Sequence, residues 1–359
     1  MKLLNNYFFF FQIFLEKEMS VANDNVDDHY GERARPRTMT HEQPFSIKEP
    51  REYFSLFFTD DLIEYIVIKM NSHTTNPNTN IDAEEFKMFI SVFIYLGIEP
   101  IIATKSWRKA REKRGVLQVS DYITKDRFLQ IKTALFYNDS TNVETMNEIR
   151  YIYKRITENF LKVPATPVNS VGEIMGDEPN IKLYGRASDD GFIHDILMYQ
   201  DESTFEAHHT HLDDEEKKNM KVEEKIVTLL VKTLKDPKNS TVYVNSRFTS
   251  PSLVEHLRSK YGCRYQKIAY GTIYRKSNKV VFRISGIEKH KALTSIYKIS
   301  SRYQYNCMEK LKCIIDLCIC NAWILYNRDC VSLRAHPMSL LEFRQNISDA
   351  YISTIYKKI

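Results

Sequence analysis

The chain has 359 residues, of which 43% are hydrophobic, 12% aromatic and 27% charged. Low-complexity and intrinsically disordered classes are excluded, because 10 Gly and 11 Pro are few while 20 Phe and 22 Tyr are many. The net charge of +5 is mild only as an average, since the basic residues are unevenly placed.

In chain order, the first segment is a short apolar run from Tyr7 to Leu15, broken by Gln12 and closed by Glu16, Lys17 and Glu18. It falls well short of the roughly 20 apolar residues of a membrane span. A secretory signal is disfavoured, and an upstream extension of a chain that starts at Met19 is the competing reading. Residues 1–49 are expected to form an arm, because Ser20 to Pro50 is polar and lacks an apolar period.

A helical lobe is predicted over 50–163. Thr59, Asp60 and Asp61 suit a helix N-terminus ahead of Leu62, Ile63, Ile66 and Val67. A second helix is expected from Asp82 to Leu96, ended by Gly97, and a third from about Thr124 with Phe128, Ile131, Leu135 and Phe136 on one face. Between them lies a basic cluster, Lys105 to Arg114 around Trp107. It reads equally as a phosphate-contacting face, a nuclear-localisation-like run or a plain surface helix.

Past Pro164 the apolar period changes from 3.6 to 2. Ser188 to Gly191 is a hairpin turn between strands at 181–184 and 192–199. Further strands are expected at Thr241 to Val244, Ala269 to Tyr274 and Val280 to Ile284, with helices at Val222 to Leu234 and Pro251 to Lys260. A long apolar helix follows at Met308 to Tyr326. The fold class is therefore α/β, with a core over 164–350.

These motifs, in this order, resemble the piggyBac-type transposases and the host proteins derived from them. The most specific block is Val242-Tyr243-Val244-Asn245-Ser246-Arg247-Phe248-Thr249-Ser250, where the family reads V-Y-x-D-N-x-F-T-S. Gly271 to Arg275 follows, like the family's G-T-x-R. Tyr53-Phe54, Phe57-Phe58, Tyr95-Leu96-Gly97 and Asn321-Ala322 add weaker matches. The resemblance implies a truncated RNase H-like core, a mixed sheet with flanking helices. It also implies three acidic residues that hold two divalent ions for DNA strand cleavage and transfer.

The departures point away from that chemistry. Asn245 stands where the second aspartate is implied, and Gly172, beside Glu173, where the first is. No Gly-Gly-Val-Asp segment, the implied place of the third, is found between Ile299 and Tyr305. Glu288 is expected in a strand away from the catalytic position, and Glu173, Asp195 and Glu288 are the only acids that could rebuild a site. The family's cysteine-rich zinc module is not seen, since no cysteine follows Cys330. Hence no catalytic residue, cofactor or metal is assigned. The six cysteines are expected as free, buried thiols.

Arg258 to Arg302 holds twelve Lys and Arg against Glu288 alone, a net +11. With interleaved tyrosines, that composition suits a DNA backbone. The expected contact residues are Arg247, Arg258, Lys260, Arg264, Lys267, Arg275, Lys276, Lys279 and Arg283. The bland alternative is a solvated basic face. His208-His209-x-His211 is read as part of a polar loop, within an exposed acidic excursion from Asp201 to Glu224. The favoured function is catalytically inactive DNA binding or protein interaction, in the nucleus, with DNA as partner, no membrane association and a homodimer possible. An active magnesium-dependent strand-transfer enzyme and a decayed product without a selected role are the alternatives.

Overall fold

The computed structural model describes residues 46–72, 80–98, 123–135, 143–175, 181–267, 272–276, 279–297 and 307–356. The side chains of 143–145, 266–267, 272–276, 279–283, 307–309 and 354–356 lie outside that description. So do residues 1–45 of the predicted arm and the basic cluster around Trp107.

The chain divides into two compact units. One contains 45–152 and 294–359; the other contains 153–293. The first is helical: α1 (Pro50–Ser55), α2 (Asp60–Ser72), α3 (Ala83–Ile98), α4 (Lys125–Ala134), most of α5 (Val143–Phe160), α11 (Cys307–Ser332) and α12 (Leu340–Tyr356). The expected core of 164–350 is thus divided differently. The late helices pack on the first ones, α12 against α3 and α11 against α1. For α12 the reason is chemical. α3 is apolar nearly all round, so it needs partners on several faces. Ser91 of α3 also bonds Ser348 of α12 through hydroxyl and carbonyl. Arg344, fully buried, is neutralised by Asp316 at 2.6 Å. α3 runs through Gly97 to Ile98, because a glycine stops a helix only where the chain turns left-handed.

The second unit is built on a five-stranded sheet in the order β3-β2-β1-β4-β5. Its strands are β1 (Val168–Met175), β2 (Lys182–Ser188), β3 (Ile193–Tyr199), β4 (Thr241–Val244) and β5 (Arg264–Lys267). β1, β2 and β3 are antiparallel, whereas β4 and β5 run parallel to β1 and to each other. This is the mixed sheet of an RNase H-like fold. The expected turn is present: Gly191 has a φ of 100°, and Asp190 accepts from the Phe192 N–H.

One face of the sheet is covered by α8 (Val222–Val231) and α9 (Pro251–Tyr261), with the short α6 (Thr204–Ala207) and α7 (Asp214–Asn219) beside them. Ser250 caps α9 by accepting from the Leu253 N–H, as the Ser-Pro start predicts. β6 (Thr272–Lys276) and β7 (Lys279–Arg283) form a separate two-stranded ribbon. α10 (Gly286–Ile296) then returns to the sheet. Among the described residues no helix is long and apolar enough to cross a membrane.

Candidate functional site

Parallel pairing brings the two informative positions together. Val171 of β1 is in register with Val244 of β4, so Gly172 and Asn245 are the next residues of neighbouring strands. The strand ends open into a cavity of about 180 Å³ lined by Gly172, Glu173, Asn245, Arg247, Glu288 and Lys291, among others. Convergence at the ends of parallel strands is where α/β sheets place their ligands.

The third wall is α10, held by close backbone approach. A Cβ on Gly286 would lie 1.8 Å from the Ser188 carbonyl oxygen, so no larger residue fits there. The Ile287 N–H donates to Ser170 Oγ at 3.1 Å, and His290 Nδ1 donates to the Gly191 carbonyl at 2.9 Å. These contacts fix Glu288 on the cavity. The expectation of a strand outside the catalytic neighbourhood is therefore corrected: Glu288 lies on a helix and shares a cavity with Gly172 and Asn245. Ser285-Gly286-Ile287-Glu288 has the spacing of the Gly-Gly-Val-Asp segment expected between 299 and 305.

The electrostatics of the cavity do not suit divalent ions. Asn245 is neutral, and its side-chain oxygen caps the 3₁₀ turn Ser246–Phe248 by accepting from the Arg247 N–H at 3.0 Å. Glu173 is 3.2 Å from Arg247, and Glu288 is 3.1 Å from Lys291. Both carboxylates thus face a resident cation. Hard cations such as Mg²⁺ need anionic oxygens, and here glycine and an amide stand at two of the three implied positions. The residues present do not fit the two ions that the resemblance implies. Among the described residues, three His, Cys or acid ligand atoms converge at a single place, and it is not this cavity.

Of the nine predicted DNA-contacting residues, four have described side chains. Arg258 and Arg264 are exposed, on α9 and β5. Arg247 lines the cavity, with its guanidinium 5.9 Å from the Phe248 ring. Lys260 is committed elsewhere: it pairs with Asp213 and with Glu216, the latter at 2.7 Å. Lys267 ends β5, Arg275 and Lys276 fall on β6, and Lys279 and Arg283 on β7. The side chains of these five lie outside the described residues.

Two further expectations are corrected. The acidic excursion is not simply exposed: Glu216 is 1% exposed and receives Lys232, Lys260, His256 and the Tyr261 hydroxyl. Its shielding from water is legible only when three helices are seen to meet over it. Nor is His208 in a solvated loop. Its ring is 3% exposed and faces Asp195, which is fully buried on β3 and does not line the cavity.

His290 makes the α10 contact sensitive to acid. Burial pushes its pKa down to about 4, against the opposing hydrogen bond to Gly191. The unfolded ring titrates near 6.5. Between those values the unfolded state binds the extra proton, so stability is complete above about pH 6.5 and falls as the pH drops toward 4. A loss of about 3 kcal/mol is expected over that window, and it should be absent in His290→Gln. Urea denaturation at pH 7 and pH 4.5 checks this; equal losses in both proteins would refute it.

Comparison with known proteins agrees with the resemblance carried by the motifs. A family model described as Transposase IS4 matches residues 49–172, which run from the start of α1 to Gly172 on β1. A cryo-EM structure of a piggyBac transposase synaptic complex with hairpin DNA has a similar fold. The TM-score is 0.67 at 15% identity, over 88% of this chain and 82% of that one. No curated protein matches.

Proposed function

We propose that this chain, which shares its fold with a piggyBac transposase, is a transposase-derived DNA-binding protein that no longer cuts DNA. One observation carries the reading. The strand-end cavity has Gly172 and Asn245 side by side, and its two remaining acids each face a cation, Arg247 and Lys291. Metal-assisted strand cleavage needs converging anionic ligands to hold the ions that activate the attacking oxygen and stabilise the leaving one. With that ligand set gone, what remains is a scaffold bearing cationic residues. Arg258 and Arg264 are free to meet phosphates from the described part, and the basic ribbon β6–β7 follows directly in sequence. Such contacts are electrostatic and indifferent to sequence. A nuclear location follows from the same reading.

The active-enzyme reading keeps one supporting observation, the presence of Glu288 at the cavity. A single pair of assays separates the two. Duplex DNA binding should weaken steeply between low and moderate salt, with no magnesium-dependent nicking. Replacing Arg258, Arg264, Arg275, Lys276 and Lys279 by Gln should flatten the salt dependence by several units of slope. Nicking that needs magnesium and disappears in Glu288→Gln would establish the enzyme instead. Affinity unchanged in the five-site variant would remove DNA from the assignment.

A further inference from the structure

Across the sheet from that cavity's chemistry, a second cluster is organised without reference to it. Asp195 Oδ1 on β3 is approached by two imidazole nitrogens, His208 Nε2 at 3.3 Å and His209 Nε2 at 3.4 Å. The three ligand atoms lie within 4.8 Å of one another. Zinc bonds of about 2.0–2.1 Å to nitrogen and oxygen in a tetrahedron set ligand atoms about 3.4 Å apart. Two of the three edges here already have that length.

The ligands are also held as metal ligands are. His208 Nδ1 meets Thr210 Oγ1 at 2.9 Å and the Thr210 N–H at 3.3 Å, and the Thr210 hydroxyl donates to the Leu229 carbonyl at 3.1 Å. That leaves His208 Nε2 aimed at Asp195. The other carboxylate oxygen, Asp195 Oδ2, accepts from Thr233 Oγ1 at 2.8 Å. The Thr233 hydroxyl in turn accepts from the buried Arg186 guanidinium at 3.0 Å, so Arg186 acts on the Oδ2 side and leaves Oδ1 to the histidines. Outer hydrogen bonds of this kind fix ring orientation and ligand basicity in established metal sites.

His209 supplies the telling detail. Its Nε2 is buried, makes no hydrogen bond, and still points at Asp195 Oδ1 from 3.4 Å. A buried ring nitrogen without a hydrogen bond is costly unless something else satisfies it. An aspartate with histidine donors satisfies His208 in hydrogen-bond geometry, and His209 only by charge.

We infer that Asp195, His208 and His209 form a three-ligand site for a borderline divalent transition-metal ion of the zinc class. Imidazole nitrogens with one carboxylate oxygen favour such an ion over magnesium or calcium. The side chain of His209 is 22% exposed and gives the ion its route in. The bound ion joins β3 to the segment between α6 and α7, and through Thr210 to α8. It is separate from the strand-end cavity, so this inference does not depend on the loss of cutting activity.

The test uses the full chain, stripped with a chelator and titrated with Zn²⁺ against a chromophoric competitor. One equivalent should bind, raising the melting temperature. His209→Gln should weaken binding about tenfold or more while leaving the fold intact, because that side chain reaches the surface. With Co²⁺ the absorption should show ligand-field bands of nitrogen and oxygen ligands, without thiolate-to-cobalt charge transfer. No competitive binding by the native chain, unchanged binding in His209→Gln, or a thiolate band pointing to the cysteines would each overturn the assignment.

Discussion

The paired variant Gly172→Asp, Asn245→Asp should bind Mn²⁺ about tenfold or more tightly than the native chain, because both positions accept a carboxylate without disturbing the fold. At 245 the side chain caps the Ser246–Phe248 turn, and aspartate caps as well as asparagine. At 172 a Cβ meets nothing closer than Ile287 Cγ2 at 3.5 Å, an ordinary contact, and Gly172 is not among the positive-φ glycines. The two new carboxylates would stand on adjacent strands, facing a cavity that already holds Glu173 and Glu288. Without metal, that crowding of like charge raises carboxyl pKa values and lowers stability. With Mn²⁺ the repulsion becomes the binding energy. The melting temperature of the variant should therefore start below that of the native chain and rise with Mn²⁺, while the native protein stays nearly flat. An equal Mn²⁺ response in the two proteins would mean that the cavity's loss of affinity has another origin.

What could be read in advance depended on whether chemistry or only position had to be recognised. The β2–β3 hairpin was legible because Ser188 to Gly191 carries its own turn chemistry, and Gly191 does adopt the left-handed φ. Asn245 was legible because it interrupts a long contiguous motif. Glu288 was not, since Ser285, Ile287 and Glu288 each differ from the expected Gly-Gly-Val-Asp while keeping its character. Its place is set by a backbone approach at Gly286 that no local pattern announces. β5 carries no strand signal, because Arg264-Tyr265-Gln266-Lys267 is a polar edge strand, too short to show a period. Lys260 reads as a free cation in a basic run, yet Asp213 and Glu216, more than forty positions earlier, hold it. The late helices look like part of the core because they follow it. The partner of α12 is set by the apolar circumference of α3, a property of a distant segment.

Glu216→Gln should cost about 3–5 kcal/mol of stability at pH 7, the range for breaking a buried ion pair from one side. The side chain is nearly isosteric, so the loss reports charge and not packing. Two lysines, one histidine and one phenol converge on this carboxylate: Lys232 at 2.6 Å, Lys260 at 2.7 Å, His256 at 3.0 Å and Tyr261 at 2.8 Å. Lys232, only 16% exposed, would keep its charge with much of its compensation removed. Burial alone would raise the Glu216 pKa. Hydrogen bonds from Lys232 and Lys260, the Asp213 N–H and Tyr261 outweigh it and hold the carboxyl well below the usual carboxylate range. An acid with a depressed folded pKa contributes stability that is present above its unfolded value, near 4.3, and is lost as the pH falls further. The His290 loss lies higher, between about 6.5 and 4, so the two limbs can be separated. Native protein should lose stability in both windows, while Glu216→Gln should start lower and keep only the upper one. Lys260 would remain paired with Asp213, so DNA affinity should hardly change even as stability falls. Urea denaturation from pH 7 to pH 3 measures this directly. A difference below about 1 kcal/mol at pH 7 would place Glu216 among ordinary surface ion pairs.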